Sequence, residues 1–255
     1  MNKTIAACAA LLAAAALCTA CTRQPDGNSL ADTTPSPVET TLAPLDADAV
    51  WTVVEETIPL DESTGSYKLL RYPAFDGEDD TTAALNQALR AAAEHAYTTH
   101  AANVQAIIDD GETFVYEVTE VEITRCDDAL ISVRSFAECS TPTGTDAFVY
   151  TGNLNPATAA AYQVDELVTD FSGLAKLLRD GKGSQVWGVD NLLDQITWDD
   201  LLVQIKPTYG IYPPVCFTDE GILLCFATNA LLGDTAGFLL TYADAGSCLA
   251  AGTPQ

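Results

Sequence analysis

The sequence predicts an α+β protein with antiparallel sheets, a long helix in its N-terminal half and several short helices in its C-terminal half. One long segment has apolar residues at helical spacing, with Leu85, Leu89 and Ala96 in a single stripe. The segments around it alternate apolar and polar residues, which is the pattern of half-buried strands. Several of these strand segments follow one another without a helix between them. Such a meander is typical of α+β rather than α/β proteins.

The first twenty residues have the composition of a secretion signal. After a positively charged start, residues 5–17 form an apolar run of 13 residues. That run is too short to span a bilayer, which takes about 20 residues, but it has the length of a signal-peptide core. Ala20 then precedes Cys21, and this arrangement resembles the bacterial lipoprotein signal, in which the cysteine is acylated and becomes the mature N-terminus. We therefore expect a signal peptide at residues 1–20 and a lipid anchor on Cys21.

Residues 21–49 are predicted to form a disordered tether. They are rich in Pro and Thr and have no strong apolar period, a composition typical of extended linkers. Two acyl chains on Cys21 would anchor the protein stably to a membrane. The expected location is therefore the extracellular face of the bacterial cell membrane, with plain secretion as the alternative. A redox pair of Cys18 and Cys21 is disfavoured because no strand or helix is predicted around them.

The folded part divides into a predicted N-terminal half, residues 50–155, and a C-terminal half, residues 156–250. In the first half, a long helix of about 25 residues is predicted, with Asp80 or Thr81 as its N-cap and its end at residues 109–111. Strands are predicted on both sides of it, at residues 51–58, 67–72, 114–123, 131–139 and 147–151.

The longest predicted strand contains a change of phase. Tyr116 and Val118 alternate with polar residues in one phase, whereas Val121 continues in the other. One extra residue near Thr119 and Glu120 would restore a common apolar face. We therefore predict a β-bulge at that point.

The C-terminal half combines short helices with strands. Its apolar run at residues 222–226 predicts a strand that is buried on both faces. A turn at residues 219–221 separates this strand from the one before it, and a third strand is predicted at residues 237–242. The predicted helices lie at residues 165–168, 172–179, 191–196 and 198–205.

The charge balance restricts the partners of the protein. Thirty-six Asp and Glu oppose 11 Lys and Arg, which gives a formal net charge of −25. The electrostatic field of so large a negative charge repels nucleic acid, so we predict no nucleic-acid partner. It attracts basic proteins, although an acidic surface is also an ordinary means of keeping a secreted protein soluble.

No catalytic, cofactor or metal motif is present in the sequence. His95 and His100 are five residues apart on one predicted helix, which places them about 140° apart rather than on one face. The acidic turns at residues 76–80 and 109–112 lack the ligand spacing of an EF-hand, so roles at the helix ends are favoured over calcium binding. We therefore predict no catalytic residues, no metal and no cofactor. A carboxylate pair for glycoside hydrolysis stays open because nothing in the sequence singles out a pair.

Five cysteines lie outside the signal and the anchor, and the odd number leaves at least one without an intramolecular partner. Cys216 and Cys225 flank the turn at residues 219–221 and are the candidate disulfide, with buried thiols as the alternative. A two-residue loop would place them opposite each other, whereas a three-residue loop would place them on opposite faces. Cys126 and Cys139 are predicted at opposite ends of their hairpin, too far apart for a bond.

Four stretches of the chain have the sequence pattern and the order of segments in a known family of domains. They read "YPAFDGEDDTTAALNQAL", "ALISVRSF", "LNPATAAAYQVDELV" and "VCFTDEGILLCFATNALLGDTAGFLLTYADA". Together they resemble the extracellular domain shared by the anti-sigma factor RsiV and the N-terminal part of some peptidoglycan deacetylases, a domain of unknown function in most of its members. The resemblance covers residues 50–250.

This RsiV-like resemblance implies an α+β domain in the bacterial cell envelope. In the anti-sigma factor the domain senses lysozyme, a strongly basic protein. The sequence shows neither a sigma-binding segment nor a deacetylase domain, so neither of those activities is expected. We expect a non-enzymatic, sensor-like binding domain for a cationic protein such as lysozyme or for a cell-wall component. The alternative is a carboxylate-dependent enzyme that acts on peptidoglycan, or an accessory to one.

Overall fold

The computed structural model describes residue 42 and residues 49–100, 103–205, 213–227 and 235–254. The predicted signal peptide, the lipid anchor on Cys21 and most of the predicted tether concern residues outside these ranges. None of the helices within these ranges is long and apolar enough to cross a membrane.

The first sheet has five strands whose spatial order follows the chain. They are β1 (Trp51–Asp61), β2 (Ser66–Phe75), β3 (Val115–Cys126), β4 (Ile131–Thr141) and β5 (Gly144–Leu154). All neighbours are antiparallel except β2 and β3, which pair in parallel, with Tyr67 opposite Val115. The parallel pair arises because a helical crossover returns the chain to the end at which β2 began. The predicted α+β class is confirmed, and this one pair departs from the predicted antiparallel arrangement.

The single long helix predicted from the sequence is two helices in the structure, α1 (Asp80–His100) and α2 (Val104–Asp109). Asp79 caps α1, in place of the predicted Asp80 or Thr81. Its carboxylate accepts hydrogen bonds from the backbone N–H of Thr82 at 2.9 Å and from the Thr82 hydroxyl at 2.8 Å. A carboxylate one residue before the helix reaches the free N–H groups of the first turn, which a residue inside that turn cannot do.

Helix α1 packs on one face of the first sheet. Asn86 fixes it to β2, because its side chain accepts from the backbone N–H of Phe75 at 2.7 Å and donates to the Phe75 carbonyl at 2.9 Å. Nearer the end of α1, Lys68 of β2 forms a salt bridge with Glu94 and lies 4.4 Å from the centre of the Tyr97 ring. The core between helix and sheet includes the predicted helical stripe and consists of apolar side chains from both elements, among them Leu70, Phe75, Leu85, Leu89, Tyr116 and Ile131.

The second sheet has four antiparallel strands in the order β6-β9-β8-β7. The strands are β6 (Ser184–Trp187), β7 (Val215–Phe217), β8 (Gly221–Ala227) and β9 (Thr235–Thr241). The prediction that residues 222–226 are buried on both faces is confirmed, since none of their side chains is more than 3% exposed. Strand β6 was not predicted. It has only four residues, three of them exposed, so no apolar alternation marks it.

Short helices surround the second sheet. They are α3 (Val164–Leu167), α4 (Phe171–Arg179), α5 (Leu192–Gln195), α6 (Trp198–Ile205) and α7 (Tyr242–Ala245), which a 3-10 turn (Gly246–Cys248) follows. The first four confirm the predicted helices, whereas α7 replaces the predicted end of the last strand. The Thr241 hydroxyl accepts a hydrogen bond from the backbone N–H of Asp244 at 3.3 Å, and this cap turns the chain into a helix.

Buried polar side chains join the two sheets. The Ser132 hydroxyl of β4 donates to Asn153 Oδ1 of β5 at 2.7 Å and accepts from the backbone N–H of Phe217 at 2.8 Å. The Asn153 amide donates in turn to the carbonyl of Val215 at 2.8 Å. Because β7 is at the edge of the second sheet, one row of its backbone groups has no neighbouring strand to pair with. The bonds from Ser132 and Asn153 satisfy groups in that row and fix β7 over the first sheet.

Candidate binding groove

The first sheet has α1 on one face, and the second sheet covers part of the other face. The covered part includes Phe136 and Val149, which pack in one cluster with Leu223 and Leu239 of the second sheet. Glu138 lies on the same face of the first sheet but is exposed. A groove of about 470 Å³ lies where the cover ends, between β3, β4 and β5 on one side and β6 on the other. Its lining includes Thr119, Glu120, Arg134, Phe136, Glu138, Ala147, Val186 and Trp187.

Glu120 reaches the groove because β3 contains a bulge. Val118 is opposite Ala137, and the next paired residue of β3 is Glu120, opposite Phe136, so Thr119 is the extra residue. In an uninterrupted strand Glu120 would share a face with Val118, which is buried against α1. The bulge turns Glu120 to the opposite face. The predicted bulge is therefore confirmed, and its consequence is a carboxylate in the groove.

Arg134 forms part of the groove floor, with its side chain only 13% exposed. The guanidinium carbon lies 4.7 Å from the centre of the Trp187 ring and 5.1 Å from that of Phe136. Its Nη2 donates to Glu122 at 2.5 Å and lies 3.8 Å from a carboxylate oxygen of Glu120. Its Nε is buried without a hydrogen-bond partner among the described residues. The positive charge of Arg134 is thus already paired with a carboxylate of β3.

Trp187 forms the aromatic wall of the groove, and strand β9 supports it from behind. Its Nε1 donates to the Thr235 hydroxyl at 3.2 Å. Its ring covers Gly237, where a Cβ atom would lie 2.0 Å from the ring. The ring also meets Phe136 edge-on, with 5.3 Å between the ring centres. The absence of a side chain at Gly237 is therefore what allows Trp187 to lie flat on β9.

Carboxylates outnumber cations along the groove. Glu117 and Glu138 are directly opposite each other on β3 and β4, and such a like-charge pair costs stability. Glu117 accepts a hydrogen bond from the Tyr67 hydroxyl at 2.7 Å, and this bond raises the pKa of the tyrosine. Among the described residues Glu138 has no salt bridge, and Glu120 has only its 3.8 Å contact with Arg134. Both carboxylates are exposed and available to an incoming cation.

The β7–β8 hairpin differs from both predicted versions. Phe217 is opposite Ile222, so four residues, 218–221, lie between the last paired positions. Within this loop the backbone N–H of Thr218 donates to the Gly221 carbonyl at 2.9 Å, and the Thr218 hydroxyl accepts from the Gly221 N–H at 3.1 Å. Cys216 is therefore opposite Leu223, and Cys225 lies two residues further along on the same face. Both cysteines carry thiols in the structure, and the disulfide between them stays a prediction.

The other residues that the sequence singled out do not line the groove. Cys126 and Cys139 lie at opposite ends of β3–β4, as predicted. His95 is exposed on α1, and the side chain of His100 is outside the described part of the structure. Within the described ranges, no group of three or more His, Cys, Asp or Glu side chains could hold a metal ion.

Trp187 and Arg134 are site residues that sequence reasoning missed. Arg134 occupies an ordinary polar position on a predicted strand, and its stacking depends on a distant strand. Trp187 lies in a polar, Gly-rich stretch without a strand pattern. The one available signal was an isolated Trp beside polar residues, since large aromatic residues that are not in a core are enriched at binding surfaces.

Comparisons with known proteins give a remote likeness of fold. No family model matches the sequence, and no curated protein matches it. One similar solved structure is a member of the DUF3298 family from Bacteroides fragilis, with a TM-score of 0.47 and 14% identity, covering 83% of this chain and 95% of that one. Another is a DUF3298 protein from Pseudomonas aeruginosa, with a TM-score of 0.46 and 12% identity, covering 79% of this chain and 94% of that one. The family name denotes a domain of unknown function, so neither likeness assigns an activity.

Proposed function

We propose that this protein is a non-enzymatic, sensor-like binding domain on the extracellular face of the bacterial cell membrane, anchored by a lipid on Cys21. Its groove between β4 and β6 binds a cationic side chain of a basic protein such as lysozyme. The observation that carries the proposal is the pair of exposed carboxylates, Glu120 and Glu138, beside an aromatic and aliphatic wall.

The charge of the groove supports a cationic ligand. The guanidinium of Arg134 pairs with Glu122 at 2.5 Å and is 3.8 Å from Glu120, so Glu138 and the weakly paired Glu120 are the exposed carboxylates that line the groove. An anionic ligand would have to approach these carboxylates and the net charge of −25. A basic protein would instead be attracted over a long range, and a Lys or Arg side chain would find a partner inside the groove.

The apolar part of the groove suits the stem of such a side chain. Val186 is 52% exposed at the rim, and Phe136 and Trp187 are half-buried beside it. The methylene groups of a lysine or arginine can lie on this wall while the charged end reaches the carboxylates. Removing these methylenes from water adds a hydrophobic contribution to the ion pairs.

The alternative, a carboxylate-dependent enzyme that acts on peptidoglycan, is less well supported by the groove. A glycoside hydrolase needs one carboxylic acid that burial keeps protonated, next to a second carboxylate. Glu120 and Glu138 are both exposed, so neither lies in the apolar environment that such an acid requires. Two exposed carboxylates are better suited to binding a cation than to donating a proton.

The proposal is tested with two forms of one basic probe. The full chain is immobilised, and its affinity for lysozyme is measured by biolayer interferometry over a range of salt concentrations. Acetylated lysozyme, which has lost its lysine charges, is the matched control. We expect binding at low ionic strength that weakens by about tenfold or more as salt approaches physiological concentration, and little binding of the acetylated form.

Two results would contradict the proposal. One is the absence of lysozyme binding at low ionic strength. The other is equal affinity for both forms of lysozyme at every salt concentration. Binding of soluble peptidoglycan fragments in place of lysozyme would show that the ligand is a cell-wall component, and release of shortened glycans would support the enzymatic alternative.

A further inference from the structure

We propose that Cys216 and Cys225 form an intramolecular disulfide, a covalent modification site that fastens the β7–β8 hairpin beneath the groove. The proposal rests on the proposed extracellular location in one respect only, since that location supplies the oxidant in the cell. The bond itself depends on the arrangement of the two thiols in the second sheet.

The register of the hairpin brings the two thiols together. Cys216 is opposite Leu223, and Cys225 follows Leu223 by two residues, so all three side chains lie on the face that packs against the first sheet. Each thiol shifts the pKa of the other, down for Cys216 and up for Cys225, as neighbouring thiols do, and the Cys225 thiol donates to the Leu223 carbonyl at 3.8 Å. They share a cluster with Val149 and Phe136 of the first sheet, and neither cysteine is exposed.

Closing the bond requires a small approach of the two strands. Diagonal neighbours across an antiparallel pair are about 7–8 Å apart, whereas the Cα atoms of a disulfide are usually about 4.4–6.8 Å apart. The approach falls to β7, a three-residue edge strand, and it has to be small enough to keep the bonds from Ser132 and Asn153 that fix β7 over the first sheet. Strand β8, which lies between β7 and β9, would stay in place.

Burial places the oxidation step during folding. In the folded chain neither cysteine is exposed to an oxidant, and burial raises the pKa of the Cys225 thiol, so one of the two thiolates is scarce once the sheets have packed. Before packing, one thiolate attacks a disulfide oxidant and displaces one thiol from it. The second thiolate then attacks the resulting mixed disulfide, joins the two cysteines and releases the second thiol. With oxidised glutathione, two protein thiols become one disulfide and two glutathione thiols are formed.

The position of the bond connects it to the groove. The cluster that holds the two cysteines also contains Phe136 and Trp187, which line the groove. A disulfide in this layer would hold β7 and β8 at a fixed spacing behind the aromatic wall. The oxidised chain should therefore retain its groove in denaturant concentrations at which the reduced chain loses it.

The test uses the full chain and needs no substitution. The reduced, unfolded protein is refolded with a mixture of reduced and oxidised glutathione, the remaining thiols are blocked with iodoacetamide, and the chain is digested. Cleavage after acidic residues separates Cys216 from Cys225 at Asp219 or Glu220, and Asp244 separates both from Cys248. We expect mass spectrometry to find the Cys216 and Cys225 peptides joined, and Cys248 alkylated.

A stability measurement on the same sequence completes the test. Chain-entropy arguments for a short closed loop predict that the oxidised form has a roughly 10- to 100-fold lower unfolding equilibrium constant than the reduced form.

Cys248→Ala, which removes a buried thiol elsewhere, should keep the linked peptides, whereas Cys225→Ser should lose them. Alkylation of both Cys216 and Cys225 in the refolded chain, or a bond from either to another cysteine, would overturn the proposal. Neither result depends on whether the groove binds a basic protein.

Discussion

The guanidinium of Arg134 lies 4.7 Å from the centre of the Trp187 ring, and this contact joins a strand of the first sheet to the edge strand of the second. It places a charged residue of β4 under an aromatic residue of β6. The groove therefore depends on the position of Trp187, which depends in turn on the glycine behind it.

Gly237→Ala should damage both the fold and the groove. A Cβ atom at this position would lie 2.0 Å from the Trp187 ring, so the ring has to move. We expect a loss of about 1–3 kcal/mol in the free energy of unfolding, measured with urea, and a change in tryptophan fluorescence. Gly144→Ala is the matched control, since a Cβ there has open space. Equal stability of the two variants would show that the ring does not lie against β9.

Ser132→Ala should loosen the contact between the sheets. It removes the hydroxyl that accepts from the N–H of Phe217 and donates to Asn153, and it leaves buried polar groups without a partner. The expected cost is about 1–3 kcal/mol in urea unfolding. Ser135→Ala on the same strand removes a hydroxyl that is only half-buried and should cost less. Fast amide exchange at Phe217 in the Ser132 variant alone would confirm the local cause.

Asp79 should contribute to acid sensitivity. Hydrogen bonds from Thr82 lower the pKa of this carboxyl below its ordinary value of 3.8. A lowered folded-state pKa stabilises the fold above the unfolded-state pKa, and this stabilisation is lost as pH falls through the folded-state value. Asp79→Asn keeps a capping side chain but cannot titrate, so its urea midpoint should fall less between about pH 5 and pH 2 than that of the wild type. Asp80→Asn, at the exposed neighbouring residue, is the control. An equally small fall of the urea midpoint in both variants would disprove the specific role of Asp79.

Cys21→Ser should release the protein from the membrane. The substitution removes the thiol that is predicted to carry the lipid, and the apolar run of 13 residues before it is too short to span a bilayer. In bacterial cells fed radioactive palmitate, the wild-type chain should be labelled and sediment with membranes, and the variant should be neither labelled nor sedimented. Cys18→Ser should behave as the wild type. Membrane retention of unlabelled Cys21→Ser would exclude lipid anchoring at this residue.

The features that followed from local pattern were predictable from the sequence. The phase change around Thr119 predicted the bulge, and the continuous apolar run at residues 222–226 predicted a doubly buried strand. Both depend on side-chain periodicity, which is visible in one segment at a time.

The features that depend on distant contacts were not predictable. The loop of the β7–β8 hairpin was also not predicted, because the pattern Asp-Glu-Gly does not reveal that Thr218 and Gly221 bond to each other inside it. The strand that carries Trp187 exists because it pairs with β9, some fifty residues later in the chain. The groove lies between these parts, so its aromatic wall appears only once the sheets have packed.

The most direct test of cation binding in the groove is a comparison of three charge-neutralising variants by isothermal titration with lysozyme. Glu120→Gln and Glu138→Gln each remove one groove carboxylate, and Glu62→Gln removes an exposed carboxylate in the turn between β1 and β2. The net charge changes equally in all three. We expect the two groove variants to bind about 3- to 5-fold more weakly than the wild type, and Glu62→Gln to bind within about 1.5-fold. An equal loss in all three variants would mean that lysozyme responds only to the overall charge, and wild-type affinity in both groove variants would mean that the groove does not bind it.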